Sequence, residues 1–329
     1  MSPAAAAPGA GPLVSIGVAS FNNAAYIIDT LESIRAQTYP HWELVVVDDA
    51  SKDNSAELIT DWLKTHPEVN GKLLVNSPNR GVCHTFNRFL DAAQGKYISI
   101  IGSDDLFLPD KLTAQVALLE AAPGRVGVVY SDVSKIDPAG KVIVPSVYDT
   151  GQIRPFSGDI WLEMLKTNFL GAMTVLIRRE CFDKVGHFDE DLAYEDWDMW
   201  LRIAREYDFL YQPEITCHYR IHGASALHKR RAQIIETNLR LLQKHLGVSP
   251  EGDAIIARHL REFSEQLYLL GSPDSVKWLR RSWQQHRHTR GLALLLAARL
   301  GVPAATVAAA FGVLKRLTGQ AGPDAAAAH

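Results

Sequence analysis

Apolar and polar residues follow two different periods along the first 125 positions of the chain. Short apolar runs, typical of buried strands, alternate with longer segments whose apolar residues recur every three or four positions, as on one face of a helix. This alternation predicts βαβ units and a mostly parallel sheet with right-handed connections. The predicted strands cover residues 13–19, 42–47, 72–75 and 97–101, and the predicted helices 24–37, 55–64, 82–93 and 109–121.

The pattern changes after residue 125. Strands are predicted at 126–132, 172–177 and 211–220, a hairpin at 135–143 and a helix at 195–207. From residue 226 onward the pattern is helical, with glycine and proline breaks near 247–250, 271–273 and 301–303. The sequence predicts an α/β domain over 13–225 and a helical region over 226–319, with disordered tails at 1–12 and 320–329.

Composition excludes some classes of function. The 329-residue chain has a formal net charge of −3 and no basic stripe interleaved with aromatic residues, which argues against a nucleic-acid partner. Its three cysteines, Cys83, Cys181 and Cys217, are far apart, so neither a zinc site nor a disulfide framework is indicated. A reducing, cytoplasmic location is the resulting expectation.

One weakly hydrophobic segment lies near the C-terminus. Residues 292–314 contain a single charged side chain, Arg299, but Pro303 interrupts them, which favours two short helices over one spanning helix. From residue 226 onward, fifteen Lys and Arg stand against seven Asp and Glu. A basic amphipathic region can lie on an anionic membrane surface, so peripheral contact with the inner face of the cell membrane is one expectation. A helical subdomain that packs its apolar faces on the main domain is the alternative. A homodimer is a separate expectation for the protein.

Acidic pairs stand at the ends of two predicted strands. Asp104 and Asp105 follow the strand at 97–101, and Asp48 and Asp49 close the strand at 42–47. Adjacent carboxylates at a buried strand end are costly without a cation, and a divalent metal that carries phosphate oxygens is the natural candidate. An Asp at such a position can also accept a hydrogen bond from a nucleobase ring N–H. Turn and helix-capping chemistry is the alternative for both pairs.

Three further polar clusters lie at predicted strand or helix ends. The stretch from Ala19 to Asn23 lacks the glycine-rich fingerprints of dinucleotide and mononucleotide loops, and Asn22 there is equally suited to capping a helix. Glu195 and Asp196 begin a predicted helix, where they either favour the helix dipole or supply a general base. His222 follows a strand and is either a metal ligand or structural.

The order and spacing of these clusters resemble the inverting family 2 glycosyltransferases, whose GT-A fold is an α/β nucleotide-diphospho-sugar transferase fold with a Rossmann-like mixed sheet. The resemblance covers residues 13–225. The segments that carry it are VSIGVASFNN, ESIRAQTYPHWELVVVDDASKDNS, NRGVCHTFNRFLDAAQGKYISIIGSDDLFLPDKL, VGVVYSDV, VGHFDEDLAYEDWDMWLRIA and YRIHG.

The resemblance implies a role for each candidate residue. Asp196 would be the catalytic base, with Glu195 beside it. Asp104 matches the last Asp of the family's DxD motif and would hold Mn²⁺ or Mg²⁺, helped by Asp105 and His222. The expected nucleotide-binding residues are Ala19, Ser20, Asn22, Asp48, Asp49, Ser103 and Asp104, with Asp49 on the base, usually uracil.

The chain departs from the family at one position, since Gly102 stands where the first Asp of DxD is usual. Metal binding is therefore expected to depend mostly on Asp104 and on the nucleotide. The implied reaction transfers a sugar from a nucleotide donor, most often a UDP-sugar, to a hydroxyl on a glycan, lipid-linked or other acceptor, as in bacterial surface polysaccharide synthesis. A sugar nucleotidyltransferase and a catalytically degenerate nucleotide-sugar-binding module are the alternatives.

Overall fold

A computed structural model of the chain describes residues 11–223, 231–307 and 309–310. The chain divides into two compact units, Met1–Gly223 and Ala224–His329. The first ten residues of the disordered tail predicted at 1–12, and all of the tail predicted at 320–329, lie outside the described residues, and so does the predicted domain boundary after residue 225. Residues 11 and 12 are described, and the carbonyl of Pro12 accepts a hydrogen bond of 2.7 Å from the Tyr39 hydroxyl.

The described part of the first unit contains one nine-stranded mixed sheet. Its strands run in the order β3-β2-β1-β4-β8-β6-β9-β5, and β7 pairs with β6. The strands are β1 (Val14–Ser20), β2 (Trp42–Asp48), β3 (Gly71–Val75), β4 (Tyr97–Gly102), β5 (Leu106–Phe107), β6 (Val126–Ile136), β7 (Val142–Val144), β8 (Val175–Arg178) and β9 (Asp208–Arg220).

Helices cover both faces of this sheet. They are α1 (Ile27–Arg35), α2 (Ser55–Thr65), α3 (Val82–Ala92), α4 (Lys111–Ala121), α5 (Trp161–Lys166), α6 (Arg179–Val185) and α7 (Asp196–Ala204), with 3₁₀ turns at Tyr148–Thr150 and Ala172–Thr174. The buried faces of α1, α2 and α4 share one core with the inward residues of β1, β2 and β4. Helix α3 packs closely on β1, because a Cβ added at Gly17 would lie 2.4 Å from the Phe89 ring.

The sheet brings three strand ends together at one edge. β1 pairs in parallel with β2 and β4, so that Ser20 lies opposite Asp48 and Ala19 opposite Gly102. The loops that follow these strands carry the acidic pairs, and ligands of open α/β sheets bind at such carboxyl edges. The register therefore gathers the predicted polar clusters of the first half of the chain.

Two expectations about the fold are corrected by the structure. The sheet is not mostly parallel, because the pairs β4–β8, β8–β6, β9–β5 and β6–β7 are antiparallel. The predicted strand at 172–177 begins as a 3₁₀ turn and becomes strand only at Val175. The pattern also missed β5, α5 and α6, which are short. The predicted hairpin is confirmed, since Lys135 pairs with Val144 and Ile136 with Val142.

The described part of the second unit is helical. Its helices are α8 (Arg231–Gln243), α9 (Pro250–Leu269), α10 (Ser275–Gln285) and α11 (Thr289–Arg299). They end near the predicted glycine and proline breaks, and a further break at 286–288 has neither residue. There the His288 ring accepts the Gly291 N–H at 2.9 Å and caps α11. Over the residues described, none of the helices combines the length and apolar character needed to cross a membrane.

Candidate active site

Asp48, the last residue of β2, binds neighbouring loops. Its carboxylate accepts hydrogen bonds from the Ser20 hydroxyl at 2.9 Å, the Ser51 N–H at 2.8 Å and the Ser51 hydroxyl at 2.6 Å. These bonds occupy both oxygens of a side chain that is 1% exposed. The role of Asp48 in this structure is therefore to join the ends of β1 and β2.

Asp49 fixes the start of helix α3. One carboxylate oxygen accepts the Arg80 N–H at 2.8 Å and the Asn76 Nδ2 group at 2.7 Å, and the other accepts the Gly81 N–H at 2.7 Å. The second oxygen, Oδ2, has one such bond, and a carboxylate oxygen can accept two. Asp49 thus has capacity for one more donor, which is what the predicted contact with a base requires.

The loop after β1 is bonded to the loops after β2 and β4. Asn22, whose φ of 53° lies in the left-handed region, accepts the Lys52 N–H through Oδ1 at 2.7 Å. Its own N–H donates to the Ser51 hydroxyl at 2.9 Å. The Asn23 amide donates to the Ser103 hydroxyl at 2.8 Å, and the Ser103 N–H donates to the Ala19 carbonyl at 3.1 Å. The candidate nucleotide residues of these loops therefore form one bonded surface.

Asp104 and His222 meet across 118 positions of sequence. The Asp104 carboxylate oxygen Oδ2 lies 2.9 Å from His222 Nε2. The other oxygen, Oδ1, borders the space over Gly102, where an added Cβ would lie 2.8 Å from it. The structure thus brings together two of the three predicted metal ligands.

Asp105, the third predicted ligand, is mostly an anchor of the turn. Its Oδ1 accepts the Arg220 N–H at 2.9 Å, and its carbonyl accepts the Thr30 hydroxyl at 2.8 Å. Burial, followed by the nearby charge of Asp104, raises the pKa of Asp105 well above its usual range. The guanidinium of Arg220 donates to the Asp104 carbonyl at 2.8 Å and stacks on the Tyr26 ring, with 4.8 Å to the ring centroid.

These donors fit a divalent cation only in part. Among the described residues, no three His, Cys, Asp or Glu side chains converge on one point that would hold a metal. Asp104 Oδ1, Asp105 Oδ2 at 3.5 Å from the added Cβ position, and the space over Gly102 still provide hard oxygen ligands at one place. A cation there would need diphosphate oxygens and water to complete its coordination shell.

Glu195 and Asp196 stand at the start of α7, as predicted. Burial raises the pKa of both carboxyls, that of Glu195 to about 8 with the charge of Asp196 as a second cause, and that of Asp196 to about 6. Asn168 donates to Asp196 Oδ1 at 3.0 Å and acts in the opposite direction. Burial thus favours the neutral form of both carboxyls, whereas the Asn168 hydrogen bond favours the ionised form of Asp196, which is the form that a general base needs.

Tyr219 connects the two ends of the site electrostatically. Burial raises the pKa of its phenol, and the charges of Asp105, Asp104 and Asp196 raise it further. The phenol therefore lies within electrostatic range of both the strand-end acids and the acid at the start of α7.

Sequence reasoning missed several residues that shape this site. Tyr219 and Arg220 lie three and two positions before His222, and their place in the YRIHG segment was the available signal. Nothing in the sequence marks Asn168, which lies 28 positions before its partner Asp196. Tyr26, Asn76 and Ser51 likewise act through contacts between distant loops.

Comparison with known sequences shows that the protein is a glycosyltransferase. Residues 15–186, about half of the chain, match the family model described as glycosyl transferase family 2, and the protein belongs to that family. A putative teichuronic acid biosynthesis glycosyltransferase of Bacillus subtilis, TuaG, is 30% identical over 200 residues, which cover 59% of this chain and 73% of TuaG. The uncharacterized glycosyltransferase RP339 of Rickettsia prowazekii is 29% identical over 230 residues, which cover 68% of this chain and 69% of that protein.

Solved structures show the same GT-A fold. The complex of Staphylococcus aureus TarS residues 1–349 with UDP-GlcNAc has a TM-score of 0.66 at 20% identity and covers 87% of each chain. The mannosyltransferase PcManGT of Pyrobaculum calidifontis, in complex with GDP-Man and Mn²⁺, has a TM-score of 0.59 at 23% identity. That match covers 91% of this chain and 82% of PcManGT.

Proposed function

We propose that this glycosyltransferase inverts the anomeric carbon while it moves a sugar from a nucleotide donor, most favourably a UDP-sugar, to a hydroxyl acceptor. One observation carries the proposal. The Asp196 carboxylate accepts a hydrogen bond of 3.0 Å from Asn168, and the first unit that contains it also joins Asp104 to His222 at 2.9 Å. The two solved relatives bind UDP-GlcNAc and GDP-Man, which supports a nucleotide-sugar donor here.

The donor would lie along the carboxyl edge of the sheet. Asp49 Oδ2 would accept the ring N–H of the base, and the bonded loops of Ala19, Ser20, Asn22 and Ser103 would line the nucleoside. The diphosphate would lie over Gly102, beside Asp104 and His222. Bound Mn²⁺ or Mg²⁺ would offset negative charge on the leaving nucleoside diphosphate. Mn²⁺ in the PcManGT complex supports a divalent metal at this edge.

Asp196 would take the proton from the acceptor hydroxyl while the hydroxyl oxygen attacks the anomeric carbon from the face opposite the diphosphate. The glycosidic bond to the acceptor forms as the bond to the diphosphate breaks, and the electron pair leaves with the diphosphate. Asn168 orients the Asp196 carboxylate through its hydrogen bond. Such a single displacement needs one base and no protein nucleophile.

Two experiments test this proposal. Thermal shift with UDP-, GDP- and dTDP-sugars, with and without Mn²⁺ or Mg²⁺, should show the largest stabilisation for one metal–donor combination. Asp196→Asn should then bind that donor and lose transfer. Full transfer by the Asp196→Asn variant would disprove the assignment of the base, and stabilisation by none of these donors would argue for a different substrate.

We further propose that the acceptor belongs to a bacterial surface polysaccharide and that the protein works at the inner face of the membrane. The teichuronic acid role in the name of TuaG supports the acceptor class. Residues 275–310 contain six Lys and Arg and no Asp or Glu. Leu292, Leu296 and Leu300, four residues apart, are 42%, 49% and 80% exposed. Flotation with phosphatidylglycerol vesicles, but not phosphatidylcholine vesicles, is the expected result, and a variant with Leu292, Leu296 and Leu300 changed to Ser should not float.

A further inference from the structure

Helix α3 binds residues 188–192, the segment that precedes Glu195 and Asp196. The side-chain amide of Asn87, which is 8% exposed, binds both backbone groups of Phe188. Its Nδ2 group donates to the Phe188 carbonyl at 2.9 Å, and its Oδ1 accepts the Phe188 N–H at 2.8 Å. An asparagine amide that binds a peptide at both ends fixes the position and the direction of that peptide.

Two more contacts continue along the same segment. Glu190 accepts from Asn87 Nδ2 at 3.0 Å through one oxygen and lies 3.0 Å from His84 Nδ1 through the other. The Cys83 thiol donates to the Leu192 carbonyl at 3.6 Å. Burial, and next the charge of Glu195, raises the pKa of the Cys83 thiol. The segment 188–192 is therefore held on α3 at three points shortly before Glu195.

Helix α3 is itself held firmly to the rest of the unit. The Asp49 carboxylate accepts the N–H groups of Arg80 and Gly81 at the start of the helix. Phe89 packs directly on Gly17 in β1, with no room for a side chain between them. The support for the catalytic segment is thus a helix fixed at its N-terminus and along its inner face.

We propose that Asn87 is a positioning residue that sets where Glu195 and Asp196 stand relative to the donor. This inference rests on the proposed role of Asp196 as the base. Asn87 itself contacts protein groups of the 188–190 segment, so its effect on transfer acts through the backbone that precedes the catalytic pair. Misplacement of a catalytic group by 1 Å can cost a rate factor of about 100.

If Asn87 acts only by positioning the base, its removal should lower the rate of turnover and leave the affinity for the donor unchanged. The predicted donor contacts at Asp49 and Asp104 do not involve the Asn87 side chain. Asn87→Ala should therefore lower kcat at least 10-fold, while KM for the donor and the Kd for UDP in the presence of Mn²⁺ change less than about 3-fold. The donor is the one identified by the thermal-shift screen, and kcat is measured as nucleotide released per enzyme.

Variants of Glu190 and Asp91 provide matched controls. Glu190→Gln keeps an oxygen that accepts from Asn87 and should retain most of kcat, whereas Glu190→Ala removes the acceptor and should lower kcat. Asp91, on the same helix, pairs with His187 at 3.0 Å, but the two side chains are 70% and 57% exposed. Exposed pairs contribute little, so Asp91→Asn should leave kcat and KM unchanged.

The outcomes separate this inference from the proposed function. A folded Asn87→Ala variant with kcat within 2-fold of wild type, while Asp196→Asn is inactive, overturns the positioning role and leaves the base assignment intact. Equal losses of kcat and UDP affinity in Asn87→Ala also overturn it, because they indicate general destabilisation. If Asn87→Ala does not fold, the contrast between Glu190→Gln and Glu190→Ala decides, and equal kcat in these two variants overturns the proposal.

Discussion

The hydrogen bond from Asn168 to Asp196 makes the pH dependence of transfer a test of the proposal that Asp196 is the catalytic base. Asp196 must be ionised to accept a proton, so activity should rise with pH through its pKa, which burial raises to about 6. The Asn168 amide donates to Asp196 Oδ1 at 3.0 Å and stabilises the ionised form. Asn168→Ala removes that donor and should move the acidic limb of the pH–rate profile to higher pH.

The size of this shift follows from the strength of the bond. A hydrogen bond to a charged group contributes about 1.5–3 kcal/mol, and one pKa unit corresponds to about 1.4 kcal/mol. The Asp196 side chain is only partly buried, so the lower end of this range applies. The expected shift is about one pH unit upward, with a smaller loss of rate at pH 8, where Asp196 is ionised in both proteins.

The assay is the initial rate of nucleotide release between pH 5 and 9, with donor at fixed multiples of KM. Asn70→Ala serves as the matched control, because the Asn70 side chain is exposed and lies outside the site. The control should reproduce the wild-type limb. An unchanged limb in Asn168→Ala, or a shift to lower pH, would refute the reasoning that this bond tunes the base.

Three further predictions concern the proposed metal site at Asp104 and the buried side chain of Lys111. Asp104→Ala should weaken UDP binding at least 10-fold in the presence of Mn²⁺ but not in its absence, as measured by calorimetry. Equal weakening in both conditions would show that Asp104 is not a metal ligand. Gly102→Asp should tighten Mn²⁺ binding without nucleotide, since only the flexible Asp104 carboxylate, 2.8 Å from the new Cβ, must move; unchanged Mn²⁺ affinity would contradict this. Burial lowers the pKa of Lys111 from 10.5 to about 8, so between these pH values the unfolded state binds more protons than the folded state. The free energy of unfolding of the wild type should therefore rise by about 3 kcal/mol between pH 8 and 10.5, relative to that of Lys111→Met. Parallel curves of unfolding free energy against pH for the two proteins would rule out this effect.

The local pattern of apolar and polar residues predicted the first four strands and the first four helices. It did not predict the rest of the sheet. Each of these elements is long enough to show its own period, and their ends lie within a few residues of the predicted ones. The antiparallel strand β8 is four residues long, and its partners β4 and β6 are chosen by tertiary packing. The break before α11 depends on a histidine cap, which no glycine or proline signals.

The candidate site could likewise be predicted from the sequence only in part. The sequence identified the acids at strand and helix ends, because unpaired carboxylates at such positions are unusual. It did not indicate that Asp49 holds Arg80 and Gly81, or that Arg220 holds the Asp104–Asp105 turn, since these partners lie 31 to 116 positions away. Side-chain bonds between distant loops have no local period to reveal them.

The loops at the carboxyl edge are joined by side chains such as Asn22, Asn23 and Ser51. These bonds hold the three loops in one arrangement, so the conformational entropy of these loops is lost on folding rather than on binding a ligand. Binding of UDP would then order few residues and bury little new apolar surface, and its heat-capacity change should be small. The donor would meet a formed surface, and the energy of its contacts would remain available for the chemical step.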